Sequence, residues 1–332
     1  MTAYDTRRWR LVSRPVGALQ PGDLTLEEVP APALRDGQVL LRNRIISIDP
    51  TTRLWLSSVD QKADPIAIGD TVRAFVYGEV IESRRAGFEP GDLAFGIGGW
   101  ADLSVLDAPE KLPGPADMPM EAHASVIGMT GLTAWFGVQD LCRPMPGETM
   151  VVSAAAGAVG LIAAQLGKIA GAHVVGIVGD AEKGERLVRD FGLDGWVLRQ
   201  DPDFAGALRS ACPKGIDICF ENVGGAVLDG VLAAINPGER IIICGLIAGY
   251  EAKDGWPRHD LRPILMKRAR IEGLLISHYW RRFGEGAAAL ADLVRAGRLK
   301  WDVDIAEGLE RAPAALMRVM AGTNRGKMLI RL

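Results

Sequence analysis

A chain of 332 residues, 48% hydrophobic and 24% charged, is long enough for two domains and has the texture of an ordinary soluble globular protein. Its formal net charge of −3, with both signs mixed, excludes the electrostatic footprint of a nucleic-acid partner or an anionic membrane surface. No apolar run approaches the ~18 residues of a membrane span, residues 1–9 lack the apolar core of a signal peptide, and Cys142, Cys212, Cys219 and Cys244 form no C-x-x-C pair, a pattern expected of a cytoplasmic protein whose cysteines mostly sit in its core. His123, His173, His259 and His278 are scattered as widely, so no zinc site can be read.

Up to about residue 120 the chain is punctuated by Pro and Gly, as in Pro21-Gly22-Asp23, Pro30-Ala31-Pro32 and Pro90-Gly91-Asp92. Between them lie short β-branched or alternating runs such as Val39 to Ile46 and Tyr77 to Glu82, which predict a β-rich domain with many turns. After Pro113-Gly114-Pro115 the apolar spacing over 121–139 becomes helical, interrupted at Gly128-Met129-Thr130-Gly131. From 149 onward strands are expected at about 149–153, 172–178, 195–198, 216–220, 239–244 and 270–276, and helices at about 158–170, 181–191, 203–211, 225–234 and 283–296. Six strands mostly apolar on both faces, with helices between them, imply an α/β fold with a doubly wound parallel sheet. The tail, a short helix near 312–320 and a strand near 327–331, is too small to stand alone and is expected to return to the first domain. The division is therefore 1–120, completed by 284–332, around a central 121–283.

One stretch carries chemistry. Met150 to Ser153 is a short apolar strand, Ala154 to Gly160 a small-residue turn, and Leu161 to Leu166 the start of a helix. A helix N-terminus offers unpaired N–H groups and the positive end of the helix dipole to a diphosphate, provided side chains stay out of the way. Ala155, Gly157 and Gly160 occupy the fingerprint positions as A-x-G-x-x-G, so the first Gly is missing. Taken alone, that turn also suits, with less weight, a helix packed tightly on a strand.

Further motifs follow in order: Gly128-Met129-Thr130-Gly131-Leu132-Thr133-Ala134, then the turn itself, Glu221-Asn222-Val223-Gly224-Gly225, Ile243-Cys244-Gly245 and Asn324-Arg325-Gly326-Lys327. Together they resemble the zinc-independent medium-chain dehydrogenase/reductase superfamily, in its branch of prostaglandin reductases and plant alkenal double-bond reductases. The resemblance covers nearly the whole chain. It implies a GroES-like β-rich catalytic domain beside a Rossmann domain, with a cleft where they meet. Where zinc-dependent relatives carry Gly-His-Glu this chain has Gly69-Asp70-Thr71, and where the double-bond reductases usually carry a cleft-lining Tyr it has Thr51.

The resemblance also assigns roles. It places Gly157, Ala158, Val159 and Gly160 on the diphosphate, Met129 and Thr130 beside the cofactor, and Asn222 with Cys244, Gly245, Leu246 and Tyr250 at the nicotinamide and its ribose. Leu274, Leu275 and Ile276 would flank the nicotinamide, and Asn324 would reach in from the tail. Lys183 matches the family's phosphate-binding Lys and Arg199 stands at a phosphate-contacting position. Two cations favour NADPH, although Asp180, about two residues beyond the place of an NAD-selective acid, pulls toward NADH. Tyr250 matches the Tyr of the double-bond reductases' loop and is the expected enolate stabiliser or proton donor, a task the nicotinamide ribose hydroxyl could also perform. The implied activity is hydride transfer from NADPH to the β-carbon of an α,β-unsaturated ketone or aldehyde. A quinone reductase and a catalytically idle NADPH-binding protein stay open. A homodimer joined through the last Rossmann strand is expected as well.

Overall fold

Segments that are apolar on both faces are buried between two layers of helices, and such segments form the centre of a six-stranded parallel sheet whose last strand, Arg270–Gly273, is largely exposed. The computed structural model describes residues 4–58, 64–252 and 256–332. The chain divides into two units, residues 1–124 with 303–332, and residues 125–302.

In the second unit the strands are β1 (Thr149–Ser153), β2 (His173–Val178), β3 (Gly195–Leu198), β4 (Ile216–Glu221), β5 (Ile235–Ile243) and β6 (Arg270–Gly273). Their spatial order is β3-β2-β1-β4-β5-β6, so the direction of winding reverses between β1 and β4. The helices are α1 (Met129–Phe136), α2 (Gly160–Ile169), α3 (Ala181–Phe191), α4 (Phe204–Ala211), α5 (Gly225–Leu232), α6 (Arg262–Lys267) and α7 (Phe283–Arg295). Cys142, Cys212 and Cys219 are buried in this unit, and burial pushes their thiols up, as befits small core residues.

Two expectations about this unit are corrected. Helix α7 does not go with the tail. Its buried face is Phe283, Gly286, Ala287, Leu290 and Ala291, and a Cβ on Gly286 would come within 2.8 Å of Leu132 Cδ2 and 3.1 Å of Trp135 Cδ1, so α7 lies directly on α1. Strand β6 stops at Gly273 rather than reaching Ile276. The Leu274 N–H still donates to the Ile243 carbonyl at 2.9 Å, but from Ile276 the backbone winds into a 3₁₀ helix.

Strand β5 begins earlier than expected because it bulges. Ile216 pairs with Ile235 and Ile218 with Arg240, leaving Asn236 to Glu239 as an excursion that turns at Gly238, φ 83°. Glu239 thereby lies inside, 1% exposed, with no hydrogen-bond partner among the described residues on either carboxyl oxygen. Burial pushes it up to about 9, with Asp217 acting in the same direction and Arg240 against it. The folded state therefore holds a proton that the unfolded chain gives up near the ordinary carboxyl value, and stability falls as pH rises from about 4.5 to about 9. Glu239→Gln is expected to flatten that decline, by up to about 1.4 kcal/mol per pH unit. Melting curves of both proteins at pH 6 and pH 8.5 check it: the variant's advantage should widen at the higher pH by several degrees, at roughly 2–4 °C per kcal/mol, and parallel curves would refute it.

The first unit holds a mixed sheet. Strand Val39–Ser47 pairs antiparallel with Arg73–Ser83, with Leu103–Leu106 and with the tail strand Lys327–Arg331. Val303–Glu307, a strand that the sequence pattern did not reveal, runs parallel to Lys327–Arg331 at the end of this sheet. Lys327 ties the tail in. Its buried ammonium donates to the carbonyls of Ile48 (2.7 Å) and Met328 (2.8 Å) and lies 3.2 Å from Asp49 Oδ1. Burial lowers its pKa and Asp49 opposes that, the balance expected of a paired interior charge.

Candidate active site

In an open parallel sheet, ligands settle outside the carboxyl ends of the strands where the winding reverses. Here that point lies between β1 and β4, which end in Ser153 and Glu221. Ala154, with φ 48°, turns the chain sharply out of β1. A Cβ on Gly160 would meet the Ala154 carbonyl oxygen at 2.4 Å, so only glycine fits the first turn of α2. No side chain caps that helix, and Ala158 and Val159 leave its N-terminus open to an anion. The missing first Gly of the fingerprint is also explained. Ala155 is buried, its N–H donates to the Ile177 carbonyl at 3.1 Å, and its Cβ occupies the space left by Gly176, where a Cβ would sit 2.9 Å away. The glycine has in effect moved to the neighbouring strand.

At the end of β2 the charges sort themselves. Asp180 caps α3, its Oδ1 accepting the Lys183 N–H at 2.9 Å, and its Oδ2 lies 3.8 Å from Lys183 Nζ. Arg199 accompanies them: its N–H donates to the Val178 carbonyl and its guanidinium reaches back over Gly179, where a Cβ would stand 3.8 Å from Arg199 Nε. The acid is thus occupied by the helix cap and a lysine, with the Arg199 guanidinium beside Gly179 at the end of the same strand.

Beyond the reversal point the loops after β4 and β5 are stitched together. The Asn222 side-chain amide donates to the Ser153 carbonyl (2.7 Å), and the N–H groups of Cys244 and Gly245 donate to the Glu221 carbonyl (2.8 and 3.1 Å). A Cβ on Gly245 would stand 3.3 Å from the Asn222 carbonyl oxygen and 3.6 Å from Tyr250 Oη, so these groups converge over Gly245. Tyr250 Oη accepts the Leu246 N–H at 3.5 Å, and the ring meets Trp256 edge-on at 5.9 Å. Burial raises the pKa of Tyr250, so the phenol keeps its proton and remains a donor. His259, 2.8 Å from Asp229, holds the following segment against α5, beside an apolar cavity of about 260 Å³ walled by Leu228, Leu232, Ile243, Trp256 and Ile271.

Other expected residues are placed differently. Leu274 is 8% exposed and faces inward, where a Cβ on Gly137 would meet its Cδ2 at 2.7 Å, whereas Leu275 is exposed and Ile276 half-buried. Met129 and Thr130 open α1, with the Thr130 hydroxyl donating to the Ser125 carbonyl. Asn324 lies in the first unit, its amide donating to the Gly326 carbonyl at 2.9 Å just before the tail strand. Thr51 is exposed at the start of the short helix Thr51–Trp55. Among the described residues, no group of three or more His, Cys, Asp or Glu could hold a metal ion.

Residues 7–113 match the family described as the N-terminal domain of oxidoreductase, and residues 158–292 the family described as zinc-binding dehydrogenase. The NADPH-dependent curcumin reductase of Escherichia coli is 38% identical over 98% of this chain and 96% of its own length. This chain belongs to the zinc-independent medium-chain dehydrogenase/reductase superfamily, in its NADP-dependent oxidoreductase branch. Within that branch, the NADP-dependent 2-alkenal reductase of Nicotiana tabacum is 34% identical over 88% of this chain and 86% of its own. CurA from Vibrio vulnificus, solved in complex with NADPH, superposes with a TM-score of 0.92 at 35% identity, covering 98% of both chains. For this member of the superfamily the two sheets are the Rossmann and GroES-like halves of an α/β fold.

Two polar residues of the site escaped the reading of the sequence. Ser153 reads as the end of a buried strand, and Glu221 only as the first residue of the Glu221 to Gly225 motif, with no role of its own. The available signal was a lone acid terminating the otherwise apolar run Ile218-Cys219-Phe220-Glu221. An ionisable group has no reason to close a fully buried strand unless several donors meet it there.

Proposed function

We propose that this protein is an NADPH-dependent reductase that reduces the C=C bond of α,β-unsaturated ketones or aldehydes. When bound, NADPH supplies the hydride that goes to the β-carbon. The protein's own part is to bind, orient and stabilise. The open N-terminus of α2 receives the diphosphate, and Arg199 and Lys183 the 2′-phosphate. The Asn222 turn and the Cys244 to Tyr250 loop face the nicotinamide end. As hydride reaches the β-carbon, charge develops on the acceptor's carbonyl oxygen, Tyr250 donates a hydrogen bond to it, and a proton from solvent at the α-carbon completes the saturated product.

The observation that carries this reading is the protonated phenol of Tyr250, converging with Asn222 over Gly245. Such a donor suits an enolate oxygen, which asks for neither a metal nor a general base. The names of the relatives, a curcumin reductase and a 2-alkenal reductase, point the same way. The test is to follow the nicotinamide absorbance with NADPH across a panel of enones, enals and quinones. Turnover of the unsaturated carbonyls supports the proposal. Turnover of quinones alone would replace it with a quinone reductase, for which Thr51 in place of the usual Tyr leaves room, and binding of NADPH without turnover of any acceptor would leave a non-catalytic role.

The same reading includes a cytoplasmic homodimer, in keeping with four unpaired cysteines. Among the described residues no helix is long and apolar enough to cross a membrane. Among the described residues β6 closes the sheet with one edge unpaired, and Leu261, Leu265 and Met266 before it, Ile271 within it and Leu275 after it are exposed. Pairing of β6 with its mate across a two-fold axis would cover both. Light scattering at micromolar concentration is expected to give twice the 35.6 kDa chain mass, and a monomer would contradict the dimer.

A further inference from the structure

Glu221 is wholly buried, and nothing in the chemistry above uses its carboxyl. Its Oε1 accepts three hydrogen bonds, from the Ser153 hydroxyl (2.9 Å) and from the N–H groups of Val223 (2.6 Å) and Gly224 (2.7 Å). Its Oε2 faces the Cys219 thiol at 3.7 Å. Ser153 Oγ in turn accepts the Asn222 N–H at 2.7 Å. Through its side chain Glu221 therefore grips the end of β1 and the whole Asn222 to Gly224 turn, and through its carbonyl it holds the Cys244-Gly245 loop after β5. Three strands are joined by one residue, at the point where the winding of the sheet reverses.

Burying a carboxyl is unfavourable, and burial raises its pKa. For mere packing, a Leu or Met of similar size would serve the core better. What a hydrocarbon cannot do is receive three donors that converge on one point, each of which would be stranded without an acceptor.

We propose that Glu221 is a positioning residue: it holds Ser153, the Asn222 turn and the Cys244-Gly245 loop in a single arrangement, so that Asn222 and Tyr250 meet the nicotinamide end in register. The inference rests on the reading of this edge as the NADPH site, and it goes beyond that reading by assigning the site's geometry to one buried acid.

The experiment compares Glu221→Gln, Glu221→Leu and Ser153→Ala by NADPH titration, by the emission of bound NADPH and by steady-state kinetics. Gln keeps an oxygen where the three donors converge, and is expected to hold the NADPH dissociation constant and kcat within about tenfold of wild type. Leu strands the donors, and is expected to weaken NADPH binding by about 5 to 150-fold. It should also lower kcat by about 100-fold, the scale of a misplaced reacting group, and return the emission toward that of free NADPH, with the acceptor KM little changed. Ser153→Ala removes the hydroxyl that donates to Glu221 and accepts the Asn222 N–H, leaves the Val223 and Gly224 bonds in place, and should move the same quantities in the same direction by about 2 to 12-fold.

A folded Leu variant with wild-type emission, affinity and kcat overturns the proposal, as does a Gln variant as impaired as Leu. If Leu fails to fold, Ser153→Ala decides: unchanged emission and affinity overturn it, and a shift of both supports it. Binding and emission need no acceptor. A wild-type protein that binds NADPH but reduces no enone would therefore sink the proposed activity while leaving this inference decidable.

Discussion

Tyr250→Phe is expected to lower the turnover of a good enone roughly 10 to 1,000-fold, the range from one modest hydrogen bond to one strong contact with a developing oxyanion. The hydroxyl accepts the Leu246 N–H, which polarises its O–H toward an acceptor, and its raised pKa keeps the proton in place throughout the working range of pH. The rate should accordingly show no alkaline limb from this group below its ordinary value near 10. Phe keeps the ring and its edge-on contact with Trp256, so NADPH affinity should change little. The comparison requires C4-deuterated NADPH, because a kinetic isotope effect shows that hydride transfer and not product release is being timed. With that control, a Phe variant with wild-type turnover would transfer the role to the ribose hydroxyl and leave Tyr250 as a lid over the site.

The legibility of this site followed burial. Strands covered on both faces leave continuous apolar runs, so β1 to β4 stand within a residue of where the sequence puts them. Where a strand is irregular, the signal misleads: the sequence pattern leaves 235–238 between a helix and β5, yet Asn236-Pro237-Gly238 lies in a bulge inside that strand. Helix α6 is only six residues long and its apolar residues Ile264, Leu265 and Met266 are consecutive, so it shows no helical period, and Val303–Glu307 is a short, half-covered strand at the end of its sheet. For α7 the period was legible but its destination was not, because an apolar face says that a helix packs and not upon what. The Ser153, Glu221 and Asn222 network lay furthest from reach. Its members become neighbours only because β1 and β4 are adjacent at the reversal of winding, a fact of topology that no local pattern carries. Cofactor choice was legible as charge, but the sequence left Asp180 ambiguous. Its side chain caps α3, which removes much of its claim on a ribose.

Lys183→Ala is expected to raise the NADPH dissociation constant roughly 10 to 150-fold, the worth of one charge-assisted hydrogen bond, and to leave that of NADH nearly unchanged. The substitution retains the backbone N–H that Asp180 caps, so α3 keeps its start and the loss belongs to the ammonium. It also takes away the cation 3.8 Å from Asp180, whose carboxylate would then repel the 2′-phosphate less opposed, so the sign is reinforced. Arg199→Ala should act in the same direction and by a similar factor, since its guanidinium lies over Gly179 at the end of the same strand. If both cations hold one phosphate, their effects should not add: the double variant should lose less than the product of the two factors, because the second cation has less to hold once the phosphate is free to shift. Titrating both cofactors into all four proteins checks each step. Equal affinity of the wild type for NADPH and NADH, or a preference for NADH, would mean that Asp180 governs the pocket in spite of its role as a cap. Loss of NADH binding in either single variant would mean that the cations support the shape of the pocket and do not read the phosphate.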